Sequence, residues 1–135
     1  MSFCLTLTFN AAKTTLIKYP PNISLATYAI PDGVTLISDN AFYAAKNLIT
    51  VTMIDCLRTI GTSAFYGCTV LANVSLGEGL TTINPSAFGN CTALSFITFP
   101  ASLTNIANGS STLGVFVGCN NLAKIKFTKT LICAK

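Results

Sequence analysis

Apolar side chains return along this chain at an interval of 23 residues. Residues 30–52 read IPDGVTLISDNAFYAAKNLITVT, residues 53–75 read MIDCLRTIGTSAFYGCTVLANVS, and residues 76–98 read LGEGLTTINPSAFGNCTALSFIT. Residues 99–126 repeat the pattern with five extra residues, and a partial copy follows over 127–135. Six columns stay apolar. The first is Ile30, Met53, Leu76, Phe99 and Phe127, and the second is Val34, Leu57, Leu80, Leu103 and Leu131. The third is Ile37, Ile60, Ile83 and Ile106, and the fourth is phenylalanine throughout, at Phe42, Phe65, Phe88 and Phe116. The fifth is leucine, at Leu48, Leu71, Leu94 and Leu122, and the sixth is Val51, Val74, Ile97 and Ile125.

A single copy cannot bury six apolar columns against itself. Stacked copies bury them against the coils on either side, so the period predicts a solenoid. The stretch from Leu71 to Leu76 alternates at its end and is rich in aliphatic residues, which predicts a short strand in each coil. Successive strands would lie parallel, about 4.8 Å apart. Ser63 to Cys68 fits one helical or 3₁₀ turn on the opposite side. Pro31, Gly33, Gly61, Gly77, Gly79, Pro85 and Pro100 fall between these pieces, where the chain must turn. The expected fold is an α/β repeat solenoid. Residues 1–29 would form an irregular N-terminal capping coil before an array over 30–135, and the phenylalanine column would plug the core.

The combined pattern resembles the leucine-rich repeats of the BspA-like, or Treponema pallidum-type, family, whose coil looks like LxxIxIPxxLxxIGxxAFxxCxx. Leu71, Val74, Leu80, Ile83, Ala87, Phe88 and Cys91 carry the match in one coil, and equivalent residues carry it across 30–131. The segment Thr15 to Pro21, with Thr27 to Val34, is similar to the opening coil of such arrays. The resemblance implies a right-handed leucine-rich-repeat superhelix with parallel strands on its concave face and the short turns on its convex face. It also implies a surface or secreted protein of a mucosal bacterium or an anaerobic protozoan, adhering to host cells or extracellular matrix.

Composition narrows the chemistry. Apolar residues make up 51% of the 135 residues and charged residues 9%, yet no apolar run approaches the roughly 18 residues of a membrane span. No membrane insertion is expected. The net charge is +4, but Lys13, Lys18, Lys46 and Arg58 are isolated and only Lys124, Lys126 and Lys129 lie close together. A nucleic-acid binder gathers its basic residues on one face, so no nucleic acid is expected. Met1 to Phe9 has no basic start and too short an apolar stretch for a signal peptide. Export by another route, a missing leader or a cytoplasmic location each fit that reading. Four glycosylation sequons, at Asn22, Asn73, Asn90 and Asn108, lean toward secretion, although a strand position makes Asn73 a poor acceptor.

Six cysteines do not make a disulfide framework here. Cys68, Cys91 and Cys119 share one column, with parallel side-chain vectors about 5 Å apart, whereas a disulfide needs converging Cβ atoms about 3.8 Å apart. They read as small buried residues whose thiols donate to a turn carbonyl. Cys4, Cys56 and Cys133 lie outside the column, and Cys56 falls in a turn.

The chain has no histidine, which removes Ser-His, Cys-His and His-metal chemistry together. It has no CxxC pair and no phosphate loop. Asp32, Asp55 and Glu78 occupy the same turn of successive coils. Such a ladder suits Ca²⁺ in principle, but a solvated turn explains it without a metal. No enzyme activity, cofactor or metal is expected.

Binding is the remaining expectation. Side chains that alternate with the buried columns point out of the strand row: Thr50 and Thr52, Asn73 and Ser75, Phe96 and Thr98, Lys124 and Lys126. Phe96 stands out among Thr50, Asn73 and Lys124 in its column, and aromatic residues are enriched at binding hot spots. Phe96, Thr98, Asn73, Ser75, Lys124 and Lys126 are the candidate partner-binding residues. The insertion around Asn108 to Gly114 is a second irregularity of the kind that loops out on a binding face. The short piece after Phe127 would leave the last coil uncovered and open to self-association. The expected partner is a protein on a host cell surface or in matrix. The alternatives are an intracellular scaffold of the same fold and a carbohydrate receptor, which would want more aromatics on the strip than Phe96.

Overall fold

The computed structural model describes residues 7–107 and 114–128. The insertion at 108–113, the partial coil beyond residue 128, Cys4 and Cys133 lie outside the described residues. Eleven short strands are present among the described residues, numbered in chain order. The chain opens with β1 (Thr8–Phe9), which pairs antiparallel with β2 (Thr15–Lys18). One row continues in parallel through β4 (Leu36–Ile37), β6 (Thr59–Ile60), β8 (Thr82–Ile83) and β10 (Asn105–Ile106). A second row holds β3 (Thr27–Ala29), β5 (Thr50–Thr52), β7 (Asn73–Ser75), β9 (Phe96–Phe99) and β11 (Lys124–Phe127). Each coil thus contributes two strands, where the sequence pattern predicts one. The result is a parallel β-solenoid of leucine-rich-repeat type.

The expected helical or 3₁₀ turn does not form, and no helix is present among the described residues. The backbone hydrogen bonds explain why. The amides of Ala41, Tyr43 and Ala45 donate back three residues, to Ser38, Asn40 and Phe42. Those between them donate forward to the next coil: Asn40 to Thr62 O at 3.0 Å, Phe42 to Ala64 O at 2.6 Å, Ala44 to Tyr66 O at 2.8 Å. A helix would need every amide to point back along its own chain. Asn40, Ala44, Ser63, Ser86 and Asn90, with Gly67 and Gly118, also take positive φ, which no right-handed helix contains. The stretch is a run of tandem β-turns, of type II hand where the third residue has positive φ.

The core is one side chain thick. Ile37, Phe42, Phe65, Leu71, Leu80, Ile83, Phe88 and Leu94 are fully buried. The phenylalanine rings stack: Phe42 on Phe65 at 4.5 Å between centroids, Phe65 on Phe88 at 5.2 Å, Phe88 on Phe116 at 5.8 Å, all within 16° of parallel. Tyr19 extends the column at the N-terminal end, stacking on Phe42 at 4.8 Å. The segment before residue 30 therefore contributes an aromatic layer as well as strands β1, β2 and β3, with Tyr19 and Tyr28 standing 23 residues before Phe42 and Val51.

Cysteines sit beside this stack. Cys68 Sγ donates to Phe42 O at 3.1 Å, Cys91 Sγ to Phe65 O at 3.2 Å and Cys119 Sγ to Phe88 O at 2.8 Å. Each thiol ties its coil to the carbonyl of the preceding phenylalanine, and none of the three forms a disulfide. Burial pushes the Cys68 thiol up to about 12 from its ordinary 9.0. Its contact with the Cys119 thiol, then burial, pushes Cys91 up as well. Polar side chains make similar ties. Asn47 Nδ2 donates to Ile23 O, Asn84 Nδ2 to Ile60 O, Asn121 Nδ2 to Thr92 O and Thr81 Oγ1 to Arg58 O.

Three outcomes test this core. Phe65→Ala removes a ring from the middle of the stack and is expected to cost about 3–5 kcal/mol in chemical denaturation. Tyr19 carries a buried hydroxyl that lacks a hydrogen-bond partner among the described residues. Tyr19→Phe keeps the ring and removes that group, so stability is expected to rise by about 1 kcal/mol; a loss would show that the hydroxyl is bonded in solution. The raised Cys68 pKa means that the folded chain keeps a proton the unfolded chain gives up. Its contribution is complete below about pH 9 and is lost as pH climbs toward 12. Unfolding midpoints measured from pH 8 to 11 should fall less steeply in Cys68→Ala than in the unaltered chain.

Candidate binding surface

The outward positions of the second strand row lie on one face. Thr50 is opposite Asn73 and Thr52 opposite Ser75 between β5 and β7, while Phe96 is opposite Lys124 and Thr98 opposite Lys126 between β9 and β11. The backbone places them there because the alternate residues Val51 and Ile97 are fully buried. Thr52, Asn73, Ser75, Phe96, Lys124 and Lys126 are exposed, and Thr98 is half-buried. Phe96 leaves 47% of its surface open to solvent, a large exposed area for an aromatic side chain.

The row is interrupted between β7 and β9. At the step before, Ala72 and Asn73 donate to Ile49 O at 2.8 and 3.1 Å, and Met53 donates to Ser75 O at 2.8 Å. At the step after, Ala123 and Lys124 donate to Ser95 O at 2.9 and 3.3 Å. The equivalent bonds from Ser95 and Phe96 to Ala72 O, and from Leu76 to Thr98 O, are missing among the described residues. On the opposite side of the same two coils the ladder is intact. Thr59 and Ile60 pair with Thr82 and Ile83, and Thr81 and Thr82 donate to Arg58 O at 2.9 and 3.1 Å. The coils therefore part on one face only.

The opening is a groove of about 400 Å³ lined by Thr50, Asn73, Val74, Ser75, Leu76, Glu78, Phe96, Thr98, Pro100 and Thr128. Val74 and Leu76 belong to core columns yet are only half-buried, whereas Val51 and Met53 are buried in the coil before. The groove thus reaches down to core side chains beneath a rim of hydroxyls and one amide. Among the described residues Glu78 is the only charged side chain lining it. Its position follows from its neighbours. A Cβ added at Gly77 or Gly79 would collide with the Ile54 or Asp55 carbonyl of the coil before, so the two glycines let the coils approach closely around Glu78. The Glu78 amide is held by Asp55 Oδ1 at 2.8 Å.

Four of the sequence candidates, Asn73, Ser75, Phe96 and Thr98, come together at the groove. Lys124 and Lys126 lie on β11, beyond Phe96 and Thr98, and do not line it. Sequence reasoning missed Thr50, Val74, Leu76, Glu78, Pro100 and Thr128 as members of one site. The Gly-Glu-Gly run was the one local signal available. Within the turn ladder Asp55 serves the backbone by holding the Glu78 amide, and outside the ladder Asp39 Oδ1 accepts the Thr62 amide at 2.7 Å. Among the described residues no three His, Cys, Asp or Glu side chains gather where they could hold a metal ion. Elsewhere Tyr43 and Tyr66 stack on the turn face at 5.5 Å, with the Tyr66 hydroxyl accepting from Asn90 Nδ2 at 2.9 Å. That tie also engages the side-chain amide of a predicted glycan acceptor. The described surface offers hydrogen-bonding groups, an aromatic face and charge, the means of binding a ligand.

Comparison with known proteins agrees with this architecture. The family profile of the BspA type leucine rich repeat region matches six copies over residues 20–112. No curated protein sequence matches the chain. Among solved structures, a leucine-rich repeat protein from Bacteroides capillosus is 30% identical, with a TM-score of 0.73 over 85% of this chain and 86% of that one. The pneumococcal vaccine antigen PcpA is 26% identical, with a TM-score of 0.83 over 93% of this chain and 30% of that one. A leucine rich cell surface protein from Faecalibacterium prausnitzii is 26% identical, with a TM-score of 0.72 over 87% of this chain and 36% of that one. This chain spans about a third of the length of the last two. With the repeat columns, the stacked core and the profile in agreement over most of its length, the chain belongs to the BspA-type leucine-rich-repeat family.

Proposed function

We propose that this chain is a non-enzymatic protein-binding module of a surface or secreted protein, and that it contacts host cells or matrix through the row running from β5 to β11. The observation that carries the reading is the single face on which Phe96 stands exposed beside a groove, with the polar side chains of Asn73, Ser75, Thr98, Lys124 and Lys126 at the neighbouring outward positions. A rigid stack with a patterned strand face suits a macromolecular partner better than a small substrate. The likeness to a vaccine antigen and to a cell surface protein supports an exposed location. No helix among the described residues is long and apolar enough to cross a membrane. In this reading Phe96 is the anchor, Asn73, Ser75 and Thr98 are its polar rim, and Lys124 and Lys126 set the charge of the partner edge.

Two measurements test it. Antibody staining of intact and then permeabilised cells of the source organism should give signal on the intact cells; signal only after permeabilisation would replace the adhesive role with that of an internal scaffold. Phe96→Ala is expected to weaken binding to host cells or immobilised matrix by about 30-fold, the effect of losing a hot-spot aromatic worth about 2 kcal/mol, at unchanged thermal stability. Equal binding by the variant would remove Phe96 from the interface.

A further inference from the structure

The groove between β7 and β9 has a composition that selects its occupant. We propose that it receives a basic side chain, arginine above all, from an extended segment of the partner protein; this rests on the protein-binding reading above. Charge is the first argument. Glu78 is the only charged group lining the groove among the described residues, so an anionic group would meet a carboxylate in the lining. The acceptors are the second. The parting of the strands leaves the carbonyls of Ala72 and Thr98 without their ladder partners. With the Glu78 carboxylate, the Asn73 amide oxygen and the hydroxyl oxygens of Thr50, Ser75, Thr98 and Thr128, they form an acceptor-rich lining. Guanidinium is a donor-only group with five N–H bonds in a planar fork, and a planar cation also stacks on an aromatic face such as Phe96.

The donors are the third argument. Ser95, Phe96 and Leu76 have amides freed by the same parting of the strands. A side chain that only donates cannot satisfy them, but the main-chain carbonyls of the segment carrying it can. A protein segment therefore matches both halves of the groove, where a free diamine or an inorganic cation matches one. Size agrees. About 400 Å³ is near the low end for small-molecule sites, which run from about 300 to 1,000 Å³. One long side chain with its own main chain fits. Lys124 and Lys126 beyond Phe96 confine the basic preference to the groove, since a second basic residue placed over β11 would meet like charge.

Heteronuclear NMR titration of the isotope-labelled chain with N-acetyl-arginine amide tests this directly, with N-acetyl-citrulline amide as the neutral isostere. Saturable shifts are expected at the amides of Ser75, Leu76, Phe96 and Thr98. They should weaken at least tenfold with citrulline, and again in Glu78→Gln, whose exposed carboxylate holds no part of the core. Phe96→Ala should weaken them without abolishing them. Equal response to arginine and citrulline, an unchanged affinity in Glu78→Gln, or no shift at these amides would overturn the assignment of a basic side chain. Comparable shifts with methyl glucoside would overturn it in favour of a carbohydrate. If the chain still binds cells or matrix through Phe96 while arginine fails, this inference falls and the protein-binding reading stands. If neither binds, both fall.

Discussion

Coil-to-coil hydrogen bonding is the constraint on which the rest of this structure depends. A 23-residue coil has too little interior to hold itself closed, and half of its turn amides have no acceptor within their own coil. They find one in the next: Phe42 in Ala64, Phe65 in Ala87, Phe88 in Val115. That directional pattern sets the stacking distance, and the stacking distance in turn puts the phenylalanine rings in face contact. Stacked rings add roughly 0.5–1.5 kcal/mol per pair beyond the area they bury, but they do so only while the backbone register holds. The thiols of Cys68, Cys91 and Cys119 reinforce the register, because each donates to the carbonyl of a phenylalanine one coil earlier.

The same constraint explains what was legible in the sequence. Columns of identical residue type survive into the structure as columns of contact, so the burial of Phe42, Phe65 and Phe88 and the placement of Cys68 and Cys91 could be read from spacing alone. The turn run could not. Ala41, Phe42 and Ala45 have the one-and-four spacing of a helical face, and an apolar pattern cannot tell a helical turn from a tandem β-turn of the same length. Backbone hand decides between them. Gly67, Asn40 and Asn90 gave a local hint of positive φ, but Ala44, Ser63 and Ser86 take the same conformation with no such signature. Their conformation is imposed by the forward hydrogen bonds of the stack, which is a tertiary effect. Tyr19 was missed although it stands 23 residues before Phe42, because the second and third columns fail in that segment, at Ala11 and Thr14.

The face was legible and the groove was not. Alternation along each strand identifies Asn73, Ser75, Phe96, Thr98, Lys124 and Lys126 as outward, because a period of two needs no knowledge of the neighbouring coil. Whether two neighbouring strands are bonded or parted depends on how whole coils tilt against one another, and no residue type encodes that. Glu78, Pro100 and Thr128 come from three different coils and meet only because β7 and β9 separate.

Several polar side chains are committed to holding coils together, as Asn47, Asn84 and Asn121 are, and a committed group is a poor instrument of recognition. The parted strands offer main-chain groups that are not so committed. Three ladder bonds are absent there, each worth about 0.5–1.5 kcal/mol net when formed. The loss is tolerable because the groove is open and water can hydrate the freed groups, while β6 and β8 keep the far side closed. A ligand entering the groove must replace that water bond for bond. An apolar side chain laid against Phe96 would gain its own burial but strand several donors and acceptors at about 1–3 kcal/mol apiece. The exposed phenylalanine alone would mark a general hydrophobic anchor. Set beside unpaired main-chain groups and a single carboxylate, it favours a ligand that brings hydrogen bonds and positive charge with its apolar stem.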